Sequence, residues 1–247
     1  MLEIDLKIHV ITTQMSLKRR QEFHSRHAFL EYEWFEAVTP KDFSREDLVA
    51  SKLIESSMNW RLSSIANALS HKQLWEKSIA LNQNLLILED DAVLADNFLD
   101  CVTSLLNEIG DDFDFLLLGF NWDRYVFLEM FPGDSGVVKL EFKQPALQNE
   151  IDIVRQNTVR TNAYNLISAF GNCGYVISPK GAALMIEGIY PLGERLVKPR
   201  GANYEFHAQS KDALMCNVYG ETSSFVAFPP LVYVKNNHNE SMIKNGP

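Results

Sequence analysis

The stretch from Leu85 to Asp91, Leu-Leu-Ile-Leu-Glu-Asp-Asp, limits what this chain can fold into more than any other. Four apolar residues without polar alternation describe a strand buried on both faces, as in a sheet covered by helices on either side. Three carboxylates follow without a break. Like charges this close to a buried strand are costly unless a cation or strong donors neutralise them. Strand alternation would send Glu89 and Asp91 to one side and Asp90 to the other. In open α/β sheets the ligand crevice lies beyond the carboxyl ends of the strands, where this triplet would stand. Hard oxygen donors of this kind suit magnesium or manganese, which keep waters and share phosphate oxygens with a substrate. The plain alternative is that Asp90 or Asp91 caps a turn and Glu89 is solvated.

Other segments supply the partners such a strand needs. Leu6 to Ile11 reads as a first strand, followed by a polar helix with Ser16 as its cap. Phe35 to Pro40 reads as a second strand, and the helix after it opens on Ser44 and Asp47 in the manner of a capping box. Ile65, Leu69, Trp75 and Ile79 form one stripe of a helix over Ser63 to Leu81. A helix over Asn97 to Ile109 ends at Gly110, and Phe113 to Phe120 gives another fully apolar strand. Tyr175 to Ile177, then Ser178 as N-cap and Pro179 at the first helical position, predict a strand and a helix to about Ile189. A helix closed by Gly220 and two strands broken by Pro229 and Pro230 complete the pattern. Between Asn121 and Ile167 only Val137 to Phe142 reads as a strand. The expected fold is α/β, a mainly parallel central sheet with helices on both faces, in a single domain over 1–247.

Charge adds a constraint through its location. The net charge is −9, yet residues 1–80 carry 11 basic and 11 acidic side chains, 81–150 carry 3 and 14, and 151–247 carry 9 and 7. The whole deficit therefore surrounds the acidic triplet. Overall acidity counts against a nucleic-acid partner. Glu3 and Asp5 stand where a signal peptide would carry basic residues, and no apolar stretch approaches the roughly 18 residues of a membrane span. Three cysteines, Cys101, Cys173 and Cys216, match no zinc or redox spacing and read as buried reduced thiols. A cytoplasmic protein is expected.

The block from Ala68 to Phe98, ALSHKQLWEKSIALNQNLLILEDDAVLADNF, resembles glycosyltransferase family 25 in its SH pair, its LW pair and the strand ending in Glu-Asp-Asp. Weaker agreement appears at Lys18 to Arg20, at Gly174 to Ile186 and at Pro229 to Val232, in the family's order. The first strand here ends in Thr12-Thr13, where the family usually has Asn-Leu, and Lys18 replaces a typical Asp. The resemblance implies a GT-A-like fold and transfer of galactose or glucose from a UDP-sugar to a lipid-linked lipooligosaccharide core acceptor. Residues 1–118 would then form the half that binds nucleotide-sugar and metal, and residues 119–247 the acceptor half.

Site roles follow from that implication. A divalent ion, Mn2+ or Mg2+, held by Asp91 and Glu89 with His238 completing the shell, would stabilise the departing diphosphate. Thr12, Arg19, Arg20, His71, Glu89 and Asp90 are the candidate nucleotide-sugar contacts. Inverting transfer needs a general base, and Asp212 falls at about the place of an acid the family carries before its last helix. His71 can instead pack on Trp75, four residues on, as a structural hydrogen-bonding residue. The basic group Lys18, Arg19, Arg20 and Arg26 suits a diphosphate, or peripheral contact with the anionic inner-membrane surface. Trp122, Tyr125, Phe127 and Phe131 are candidate platforms for acceptor sugars. Two other functions fit the same triplet: a metal-dependent phosphohydrolase, and a catalytically silent carbohydrate-binding relative.

Overall fold

The structure is a computed structural model that describes residues 6–122, 124–143, 150–153, 155–156 and 160–234. In chain order these form β1 (Lys7–Thr12), α1 (Leu17–Arg26), β2 (Glu33–Glu36), α2 (Arg45–Ala50), α3 (Leu62–Leu81), β3 (Leu85–Glu89), β4 (Ala92–Leu94) and α4 (Phe98–Ile109). There follow β5 (Phe115–Gly119), β6 (Val126–Glu129), β7 (Val137–Leu140), β8 (Asn162–Ser168), β9 (Gly174–Ile177) and α5 (Pro179–Ile189). The last elements are β10 (Leu196–Val197), β11 (Phe206–His207), α6 (Lys211–Met215), β12 (Ser224–Phe228) and β13 (Val232–Val234).

Among the described residues a nine-stranded sheet runs in the order β2-β1-β3-β9-β5-β12-β8-β6-β7. Every residue of Leu85–Leu88 and of Phe115–Leu118 is fully buried. Since alternate side chains leave opposite faces of a strand, both faces of the sheet centre are covered. The α/β class stands, but the sheet is mixed rather than mainly parallel. Only β1–β2, β1–β3 and β5–β12 pair in parallel, and β9 enters antiparallel between β3 and β5. An apolar run reports coverage on both faces but carries no information about strand direction, and β9 is as apolar as its neighbours. The segment read as largely irregular supplies β6, β7 and most of β8, which extend the sheet antiparallel at one edge.

Local chemistry explains the element ends. Ser44 accepts from the Asp47 N–H at 3.1 Å and its hydroxyl donates to Asp47 Oδ2 at 2.7 Å, so the N-cap forms, although α2 stops at Ala50. Ser178 accepts from the Gly181 N–H at 3.0 Å with Pro179 in the first turn, and α5 ends at Ile189. On α3, Ile65, Leu69 and Trp75 are buried while Ile79 is exposed at the helix end. The helix expected up to Gly220 is shorter, because α6 gives way after Met215 to a 3-10 turn at Tyr219–Glu221. No described helix is long and apolar enough to cross a membrane. Cys173 and Cys216 are buried, Cys101 is partly buried, and all three are free thiols.

The opening of α5 is packed tightly against the residue that leads into β5. A Cβ on Gly181 would overlap the backbone carbonyl of Asp114. Alanine in place of a helix glycine ordinarily gains up to about 1 kcal/mol. Here the overlap with immobile backbone reverses the sign, so Gly181→Ala is expected to destabilise the fold by about 1–3 kcal/mol. Urea unfolding would register this as a lower midpoint at unchanged slope.

Candidate active site

The carboxyl ends of the parallel strands β1 and β3 lie side by side and deliver Thr12 and Glu89 to one edge of the sheet. Asp90 and Asp91 follow in a turn, so the strand alternation expected to separate them does not extend past Glu89. Instead the Arg19 guanidinium, from the first turn of α1, ion-pairs with both, meeting Asp90 closely and Asp91 at 3.1 Å. The Thr12 hydroxyl donates to Asp90 Oδ2 at 2.7 Å. Asp90 is buried, and that burial pushes its carboxyl up to about 6 despite Arg19 and Thr12, with Asp91 and Glu89 adding to the rise. Burial raises Asp91 as well, and the Glu89 charge adds to this, even though the Asp91 side chain remains 45% exposed.

Glu89 faces a second group of residues. Its Oε1 lies 3.7 Å from Nε2 of His71, a fully buried side chain of α3. His71 Nδ1 sits 2.6 Å from the Tyr175 hydroxyl, which also accepts from Trp75 Nε1 at 2.9 Å. Burial drives the imidazole well below its usual range, so the ring is neutral. With the Tyr175 O–H donating to Nδ1, the remaining proton sits on Nε2, which has no hydrogen-bond partner among the described residues. The Glu89 carboxyl is raised by burial, while the Lys211 ammonium opposes the rise.

Across this edge, antiparallel β9 brings the turn before it to the acids, and the Glu89 N–H donates to the Cys173 carbonyl at 3.1 Å. Within that turn Gly171 has φ +80°, a value that favours glycine, and its N–H donates to Asp212 Oδ2 at 3.1 Å. Asp212 Oδ1 accepts from Lys211 at 2.9 Å. Burial works to raise the Asp212 carboxyl, but the charge and hydrogen bond of Lys211, with the Gly171 N–H, together hold the group below the usual carboxylate range.

Thr12, Arg19, Asp90 and Asp91 thus meet directly, and Glu89 links them to His71 and, through the field of Lys211, to Asp212. Arg20 turns away and lies over the Trp34 ring at 4.8 Å. His238 lies outside the described residues. Of the four aromatic candidates, Trp122 is a core anchor against Phe120, Phe142 and Tyr233, and Phe127 is also buried. Tyr125 is partly covered by Lys139, and Phe131 is exposed. Sequence reading overlooked Lys211, Asn172 and Tyr175, although Tyr175 stands inside a block it had singled out.

A family model described as glycosyltransferase family 25 (LPS biosynthesis protein) matches residues 5–197, well over half of the chain. The chain belongs to glycosyltransferase family 25. Among solved structures, this family 25 protein is similar to mannose-1-phosphate geranyltransferase from Thermus thermophilus, with 11% identity and a TM-score of 0.38. The likeness covers 75% of this chain and 61% of that one, so the chain spans less than two thirds of that protein's length. No curated protein matches it.

In this family 25 member the Asp90 carboxyl provides a pH test in the metal-free protein. Its folded value near 6 lies above the unfolded value of about 4, so its stabilising contribution is complete below pH 4 and lost as pH rises through 6. Arg19→Met removes an opposing charge, and the Asp90 midpoint is expected to move upward from about 6. Carbon NMR of the side-chain carboxyls reads both midpoints.

Proposed function

We propose that this family 25 glycosyltransferase adopts a GT-A-like arrangement and moves a hexose, galactose or glucose, from a UDP-sugar to a lipooligosaccharide core acceptor with inversion. The observation that supports this reading best is the meeting of two acidic ends: Glu89, Asp90 and Asp91 beside Arg19, and Asp212 held on the neighbouring turn and helix. The first group suits a diphosphate and its counter-ion. The second suits an acceptor hydroxyl.

Glu89 and Asp91 would suit a divalent ion, since both are hard carboxylate donors and Asp91 is 45% exposed and shares Arg19 with Asp90. Among the described residues no group of three His, Cys, Asp or Glu side chains is placed to hold a metal, so water and diphosphate oxygens would supply the remaining ligands. Bound there, Mn2+ or Mg2+ would act as a Lewis acid on the leaving phosphate. Arg19 would orient the same diphosphate from α1 as a bidentate donor. Asp212, kept ionised, would accept the proton of the acceptor hydroxyl as its oxygen bonds to the anomeric carbon and the bond to UDP breaks. A phosphohydrolase with two metals would need a richer cage of ligands than these residues offer.

Incubation with UDP-galactose or UDP-glucose, Mn2+ and de-acylated lipooligosaccharide, followed by linkage analysis, tests the reading. A single inverted hexosyl linkage is expected; release of phosphate without transfer would favour the phosphohydrolase. Asp91→Ala is expected to lower transfer at least about 100-fold, in line with the loss of a charge-stabilising group at the leaving phosphate. Asp212→Asn is expected to keep UDP affinity, read by calorimetry, and to lose transfer about 10²–10⁴-fold.

A further inference from the structure

One buried cation stands behind Asp212. Lys211 is 2% exposed, while the Asp212 side chain it touches is 22% exposed, so the carboxylate looks outward with the ammonium behind it. The ammonium donates to Asp212 Oδ1 at 2.9 Å and to Asn172 Oδ1 at 3.1 Å. Asn172 is fixed in turn, since its Nδ2 donates to the buried Tyr219 hydroxyl at 2.9 Å. The second oxygen of Asp212 is held by the Gly171 N–H. Both oxygens are therefore pinned, one by a side chain of α6 and one by the turn that leads into β9. The same ammonium opposes the rise that burial imposes on the Glu89 carboxyl.

Stability alone does not call for a fastener of this kind, because well-packed apolar side chains replacing both partners of a buried ion pair often hold as well, whereas removing one partner leaves a buried charge unpaired. What hydrocarbon cannot do is hold a carboxylate by one oxygen in a set direction. We propose that Lys211 is a positioning residue for glycosyl transfer, its ammonium clamping Asp212 against Asn172 so that the carboxylate meets the acceptor hydroxyl. The inference rests on the reading of Asp212 as the base. Lys211 itself touches neither donor nor acceptor. Its effect reaches the reaction through Asp212, in the direction in which that carboxylate presents its free lone pairs and in the charge that the ammonium helps it keep.

The test compares Lys211→Met, Lys211→Arg, Asn172→Ala, Asp212→Asn and the double variant Lys211→Met/Asp212→Asn in the full chain. It uses whichever of UDP-galactose and UDP-glucose is turned over, de-acylated lipooligosaccharide as acceptor, and calorimetry for UDP. Lys211→Met is expected to lower kcat about 100-fold, the scale of a misplaced catalytic group, with UDP affinity and donor KM within about twofold. Lys211→Arg keeps the charge and should recover about tenfold of that loss, and Asn172→Ala should lose about tenfold without burying a new side chain. The double variant should be no slower than Asp212→Asn, since residues that act as one unit are not additive. The proposal is overturned if Lys211→Met and Asn172→Ala keep the wild-type kcat, if the losses multiply in the double variant, or if UDP affinity falls with kcat. Wild-type transfer by Asp212→Asn would remove the base assignment and this proposal with it. Slow Asp212→Asn beside fast Lys211→Met would remove the proposal alone.

Discussion

Three consecutive carboxylates at the end of a buried strand can stand together only if cations from elsewhere are held against them. Two such cations are in place. Arg19 comes from the helix that follows β1 and meets Asp90 and Asp91. Lys211 comes from the far end of the chain, and its charge acts on Glu89 and Asp212. The topology brings them there: β1 lies parallel beside β3, so the helix that follows it meets the triplet. Antiparallel β9 lies on the other side, and the turn before it reaches Glu89 and Asp212.

The buried cluster behind Glu89 gives this edge its stiffness. Tyr175 stacks on Phe115 and His71 while its hydroxyl is hydrogen-bonded to two side chains of α3. Polar groups so deep in a core are costly when unpaired and strongly directing when paired. His71 joins α3 to β9 through the Tyr175 hydroxyl and places its other ring nitrogen 3.7 Å from the first acid. A site assembled on sheet ends and backed by such a network holds its charged groups in place before any substrate arrives, which is where electrostatic catalysis gains most.

Much of this was legible in the sequence. The strands around Leu85–Leu88 and Phe115–Leu118, the cap at Ser178 and the break at Pro229 and Pro230 all fall where their chemistry placed them. The direction of β9 was not legible, because hydrophobicity records burial and is blind to chain direction. Nor was the turn at Asp90, since alternation holds only while the strand continues. Lys211 escaped because a Lys-Asp pair at a short helix start reads as solvated; only the return of Asn172 and Tyr219 around it buries the ammonium, a contact set by tertiary packing. The SH pair gave the one signal for the inner network, and its partner Tyr175 sits 104 residues away in sequence.

The proposed role of the acidic edge is to receive a nucleoside diphosphate together with a divalent cation. Calorimetric titration of UDP into the full chain, with Mn2+ and then with chelator, tests it directly. Saturable binding at one site, dependent on Mn2+ and sharply weakened in Asp91→Ala, is expected. Equally tight binding with chelator present, or no binding under either condition, would contradict it.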